Sequence, residues 1–218
     1  MKPTTKRLTT TGILVAISAV LFAFAIELPF DGELTIAGMV PIIIIGYKYG
    51  VKWGLFSAFA FSLVQIAYGA TSSNAFAGMY DPDNAAKSVL NIVLMVVLDY
   101  FVAFTVLGLS GMYKNKTKND TKAFALGALT VCALRFLAHF LSGWILWGSY
   151  AEWFFTESMT GSFSTGVLNH FSGQMLSVIY SLVYNGIYMV PETIITVVVC
   201  IILISVKPLK KLIVEENA

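Results

Sequence analysis

Six apolar stretches dominate the chain, at about 9–27, 36–49, 51–69, 88–111, 122–147 and 175–206. A helix needs about 20 apolar residues to cross the hydrocarbon core of a bilayer. Five of the stretches approach or exceed that length, and the second is short. Runs like these leave a water-soluble fold with too little polar surface. Of the 218 residues 57% are hydrophobic and only 12% charged, against about 25% charged in an average soluble domain. The expected fold class is therefore an all-α integral membrane protein of six transmembrane helices, forming one domain over 1–218. The last stretch contains Pro191, so a kink or an extension beyond the bilayer is expected there.

Charge sets an orientation. Lys2, Lys6, Arg7, Lys48, Lys52, Lys114, Lys116, Lys118, Lys122, Lys207, Lys210 and Lys211 fall in the N-terminal tail, two alternate connections and the C-terminal tail. They are twelve of the 14 basic residues. The other connections hold only Lys87, and Arg135 lies inside a span. Basic residues collect on the cytoplasmic side, so the expected location is the cell membrane, multi-pass, with both termini cytoplasmic. Glu27, Asp31, Glu33, Asp81, Asp83, Glu152 and Glu157 fall on the outer side. The basic start before the first run, with Ala23-Phe24-Ala25 after it, resembles a leader with a cleavage site. The run also makes sense as a first membrane helix, and that is the expectation. A net charge of +2 gives no reason to expect a nucleic-acid partner. Cys132 and Cys200 belong to no paired motif and read as small buried hydrophobes.

Ionisable groups at mid-depth in a membrane are costly and mark binding sites or pathways. Four stand out: Asp99, Arg135, His139 and Glu192. A buried salt bridge of Arg135 with Glu192 or Asp99 is the structural explanation. Two acids against one arginine leave a carboxylate over, protonated or awaiting a cationic partner. The spare one is expected to be Asp99. Residues 135, 139, 143 and 147 share a helix stripe, which reads Arg, His, Gly, Trp. Gly143 admits a ligand or a backbone. Trp144 suits an interfacial aromatic belt, and Trp147 less so. A carboxylate beside tryptophan and tyrosine rings is a good receptor for an organic cation. On the first helix, Gly12, Ala16, Ala19 and Ala23 form a stripe of small residues, suited to close approach by another helix of this chain or of a partner. The connections 70–87 and 148–174 are long enough to be binding loops or plain connectors.

Three segments, LDYFVAFTVLGLSG (98–111), RFLAHFLSGWILWGSY (135–150) and YSLVYNGIYMVPE (180–192), resemble the thiamine-specific substrate-binding (S) components of energy-coupling factor transporters. The resemblance implies an S-component-like bundle of six helices. It implies a thiamine site formed by Asp99, Tyr100, His139, Trp147, Tyr180 and Asn185. It also implies that Gly12, Ala16, Ala19 and Ala23, with an AxxxA pattern at Ala19 and Ala23, meet a membrane coupling (T) subunit that works with two cytoplasmic ATPases. No cofactor, metal or catalytic residue is implied, and the protein is expected not to be an enzyme. No GxxxxGK[ST] phosphate loop is present. Two features depart from the family pattern. Residues 27–38 lack the tryptophan often found in the first outer loop, and 70–87 is longer, with Phe76, Met79 and Tyr80 as candidates to replace it. Tyr180 and Asn185 are also about 140° apart around an ideal helix. Three other readings stay open: an S component for another heterocycle such as riboflavin or a pyrimidine precursor, a stand-alone ion-coupled carrier, and a hydrolase using His139 with Ser142 or Ser172.

Overall fold

The computed structural model describes residues 3–28, 32–72, 75–80, 82–83 and 85–215. Asp31 and Asp81 of the outer acidic set lie outside them. Among the described residues, five helices are long and apolar enough to cross a membrane. They are α1 (Pro3–Ala23), α3 (Val51–Ser72), α4 (Lys87–Tyr113), α5 (Asp120–Leu146) and α7 (Gly173–Ser205). Large apolar side chains such as Ile13, Phe56, Val93, Leu137 and Ile194 point away from the bundle, as groups that face lipid do.

The second expected span is the exception. Residues 36–39 form bends and turns, and α2 covers only Val40–Tyr49. Ten residues rise about 15 Å, half of a hydrocarbon core of about 30 Å. Nine of the ten are buried, so α2 is a core element wrapped by the longer helices. The first span also ends early. Past Ala23 the chain forms a two-stranded antiparallel ribbon, β1 (Ile26–Glu27) with β2 (Glu33–Leu34), which sets Glu27 opposite Glu33.

One other expectation changes, and of the two outcomes expected around Pro191 the extension is the one found. The segment 148–174 is largely helical, with short turns over Gly148–Tyr150, Ala151–Trp153 and Phe154–Ser158, then α6 (Ser162–His170). Phe154 and Phe155 are buried there, so the segment is a packed cap with its own aromatic core. Helix α7 runs through Pro191 as one element of 33 residues. At 1.5 Å per residue it spans about 50 Å, more than the bilayer core requires.

A seam of glycines draws α2, α3, α4 and α5 together. A Cβ on Gly54 would lie 2.3 Å from the Gly108 carbonyl oxygen, and one on Gly111 would lie 2.2 Å from that of Gly46. On Gly127 it would lie 2.1 Å from the Ser110 carbonyl oxygen. Only glycine permits backbones that close.

The basic connections meet at one end. Arg7 donates to the Tyr49 carbonyl at 3.1 Å and stacks over Trp53 at 4.2 Å. Lys114 donates to the carbonyls of Lys48 (2.9 Å) and Val214 (3.0 Å). Lys48 donates to those of Leu212 and Glu215. The last two contacts hold the C-terminal helix α8 (Lys207–Val214), whose Lys210 also pairs with Asp120 at 2.9 Å. The start of α1, the α2–α3 joint, the α4–α5 connection and α8 therefore share one end of the bundle.

Candidate functional site

Asp99 sits in the middle of α4, where residues Val96–Val102 widen into a π-helical turn. Such turns recur at functional sites, because the extra residue re-aims a side chain. The Asp99 carboxylate points to α5. His139 Nδ1 lies 2.9 Å from its Oδ1, and Ser142 donates to its Oδ2 at 2.5 Å. These partners are an imidazole and a hydroxyl, not a lysine or an arginine. The other ring nitrogen of His139, Nε2, is buried and has no hydrogen-bond partner among the described residues.

Arg135, one turn along the same face, pairs elsewhere. It donates to Glu192 of α7 at 3.1 Å, with both side chains under 10% exposed. Glu192 also accepts from Thr35. Arg135 lies 3.0 Å from the Met39 sulfur and over the rings of Phe104 (4.8 Å) and Phe22 (5.6 Å). The two charges pair with each other, although Arg135 Nε is buried without a hydrogen-bond partner among the described residues, and Asp99 is left to His139 and Ser142.

Helix α7 supports the histidine from behind. Asn185 donates to the carbonyls of Ser181 (2.8 Å) and His139 (3.3 Å), and accepts from the Tyr188 hydroxyl at 2.6 Å. Ser181 donates to the Phe140 carbonyl at 2.6 Å. Gly143 makes the approach possible, since a Cβ there would lie 2.3 Å from Ser181 Oγ. The residue it admits is thus Ser181 of α7. One connected set joins Asp99, His139 and Asn185 with Ser142, Ser181 and Tyr188.

The rings lie around this set. Tyr180, Tyr184 and Tyr188 follow one another at four-residue spacing, with centroids 5.7 Å and 5.9 Å apart, and Tyr188 meets His139 edge-on at 6.4 Å. Tyr180 itself packs on Phe154 at 5.2 Å, in the outer aromatic core against which Trp147 also packs. Trp147 ends α5, faces Tyr150 at 5.8 Å and abuts Gly78. Tyr100 turns to the other side of the π turn, with its hydroxyl against Gly69 and its ring near Phe76 at 6.1 Å. Tyr180 and Trp147 therefore belong to the outer aromatic core and Tyr100 packs toward α3, whereas His139 meets Asp99 directly. A cavity of about 890 Å³ lies beside the outer core, lined by Lys87, Asn91, Trp144, Tyr150, Glu152 and Gln174 among others. It does not reach Asp99 or His139, so the chemistry of the side chains, and not the size of the cavity, marks the site.

Ser181 and Tyr188 are not among the expected site residues, and Ser142 enters the sequence reading only as a hydrolase nucleophile. The available signal was spacing: Ser142 is three residues from His139, and Tyr188 three from Asn185, the separation that brings helix side chains together. Ser142 donates its hydrogen bond to Asp99 and not to His139, so the serine–histidine pair a hydrolase requires is not formed there. Among the described residues no group of three His, Cys, Asp or Glu side chains could hold a metal ion.

Comparison with known proteins gives a consistent result. The family model for the thiamine transporter protein matches residues 8–162. The match includes Asp99, Tyr100, His139 and Trp147 and stops before Tyr180 and Asn185. The thiamine transporter ThiT of Bacillus subtilis is 30% identical over 192 residues, covering 84% of this chain and 80% of that protein. ThiT of Lacticaseibacillus paracasei is 24% identical over 213 residues, covering 90% and 89%. A solved structure of ThiT from Listeria monocytogenes superposes with a TM-score of 0.64, at 18% identity, over 95% of this chain and 97% of that one. That last likeness bears on the fold alone.

Proposed function

The chain belongs to the thiamine transporter family, and on that premise we propose that it captures thiamine from outside the cell as the S component of an energy-coupling factor importer. The observation that carries the reading is Asp99, a carboxylate inside a membrane helix whose described partners are an imidazole and a hydroxyl and not a lysine or an arginine. Thiamine brings a permanent thiazolium charge that such a carboxylate can meet. His139 and Asn185 supply the polar groups beside it. Tyr100, Trp147 and Tyr180 supply aromatic faces, each worth about 0.5–2 kcal/mol against a cation.

All of 1–218 acts as one membrane domain, with α2 as the short sixth helix. Both termini are cytoplasmic. The shared end of the basic connections supports this, because basic residues gather on that side. Partner subunits dock on α1. Gly12, Ala16 and Ala23 are exposed, Ala19 is half-buried, and nothing lies within 4 Å of a Cβ on Gly12. That face suits close packing by a helix of the coupling subunit, and two cytoplasmic ATPases supply the energy. The test is thiamine titration of the purified protein in detergent, followed by tryptophan fluorescence. Saturable quenching at submicromolar thiamine, absent in Trp147→Ala, is expected. No response from folded, ligand-stripped protein, confirmed by calorimetry, overturns the assignment.

A further inference from the structure

Serine in a helix has a local default, which is to donate to the carbonyl four residues back. Ser57 does so to Trp53 at 2.8 Å, and Ser205 to Ile201 at 2.6 Å. Ser142 does not. Its hydroxyl, only 1% exposed, crosses from α5 to α4 and donates to Asp99 Oδ2. His139, three residues earlier on the same face, takes Oδ1. One face of α5 therefore grips both oxygens of a single carboxylate. With His139 alone, the carboxylate could swing about that one bond. With both, rotation breaks a contact at each of the two oxygens. The π turn in α4 brings Asp99 to this grip.

We propose that Ser142 is a positioning residue for cation recognition: its hydroxyl fixes the Asp99 carboxylate in the orientation that meets the ligand's positive charge. The inference rests on the thiamine reading above and adds a residue to it. Ser142 acts through Asp99, so its effect depends on the carboxylate's charge and on the ligand's charge. A role in packing alone would depend on neither.

The experiment measures the binding of thiamine, and of its neutral analogue with carbon in place of the charged ring nitrogen, to the native protein, Ser142→Ala, Asp99→Asn and the double variant. Ser142→Cys serves as a near-isosteric second variant with a much weaker donor. The expected result is thiamine binding weakened about 10- to 100-fold in Ser142→Ala, the range for a hydrogen bond to a charged group. Ser142→Cys is expected to fall between it and the native protein. The neutral analogue changes little, and Ser142→Ala adds little once Asp99 is already Asn. Equal losses for both ligands, a full loss persisting in the Asp99→Asn background, or no loss in either Ser142 variant overturns the proposal while leaving the thiamine reading in place. If Asp99→Asn itself leaves thiamine binding unchanged, the cation reading and this inference fall together, an outcome the same titrations distinguish.

Discussion

Removing either partner of the Arg135–Glu192 pair strands a charge, and the two strandings are unequal. Arg135→Met leaves Glu192 with the Thr35 hydroxyl. A carboxyl in an apolar site can take up a proton, which holds the cost near the lower end of the 3–5 kcal/mol typical of a broken buried pair, about 3 kcal/mol. Glu192→Leu leaves a guanidinium that cannot lose its proton. The rings of Phe104 and Phe22 and the Met39 sulfur face it, and ring contacts recover only about 1–2 kcal/mol. The cost is then nearer 5 kcal/mol. At roughly 2–4 °C per kcal/mol for a chain of this size, Arg135→Met lowers the thermal midpoint by about 6–12 °C and Glu192→Leu by about 10–20 °C. The double variant replaces the pair by apolar groups and strands nothing, so it is more stable than either single variant. The assay is thermal unfolding of ligand-free protein in one detergent, read by size exclusion after heating. A double variant less stable than both singles would refute the reasoning, because the pair would then be holding α5 to α7 by more than self-compensation.

Other expectations follow from the same geometry. Asp99→Asn weakens thiamine binding by about 30- to 5,000-fold, the 2–5 kcal/mol expected when one side of a desolvated charge pair is removed. The neutral analogue loses less than about tenfold by calorimetry, since only local hydrogen bonds rearrange. Ala16→Leu on the exposed small-residue stripe leaves thiamine affinity unchanged but abolishes co-purification with the coupling subunit and ATPases. Retained complex would remove α1 from the interface. Glu33 has its pKa raised by burial, then by Glu27 across the ribbon and by Glu192, with Arg135 opposing. A raised carboxyl favours the protonated form in the folded ribbon, so its stabilisation is present at low pH and is lost as pH rises through the raised value. Hydrogen exchange in the ribbon, corrected for the intrinsic rate, therefore slows as pH falls through the range just above the ordinary carboxyl value. Glu33→Gln flattens that dependence.

What could be read in the sequence was what a single helix decides for itself. An apolar run of 20 residues and a basic connection are local properties, and α3, α4, α5 and α7 lie close to where the runs placed them. Asp99 and Arg135 could be picked out because a charge in such a run is costly in any fold. Failures came where two elements decide together. Residues 36–49 are apolar enough to suggest a span, but four of them are spent on turns and α2 is buried by its neighbours. The glycines of the seam look ordinary one at a time, and their meaning appears only when Gly54 meets Gly108 and Gly46 meets Gly111. The candidate site divides the same way. The spacing of His139 and Trp147 is carried by one helix and survives into the structure as one stripe with two environments, acid at one end and aromatic core at the other. Ser142 belongs to that helix too, but its partner lies on α4, and helical wheels do not cross the gap between helices. The residue that bridges that gap, Asp99, lies within the π turn of α4. The residues hardest to read from sequence are thus the ones through which α4, α5 and α7 are coupled. Asp99, gripped from α5, and Tyr100, set against Gly69 of α3, are consecutive residues of that turn, so the candidate site and the α3–α4 contact share one irregular stretch of α4.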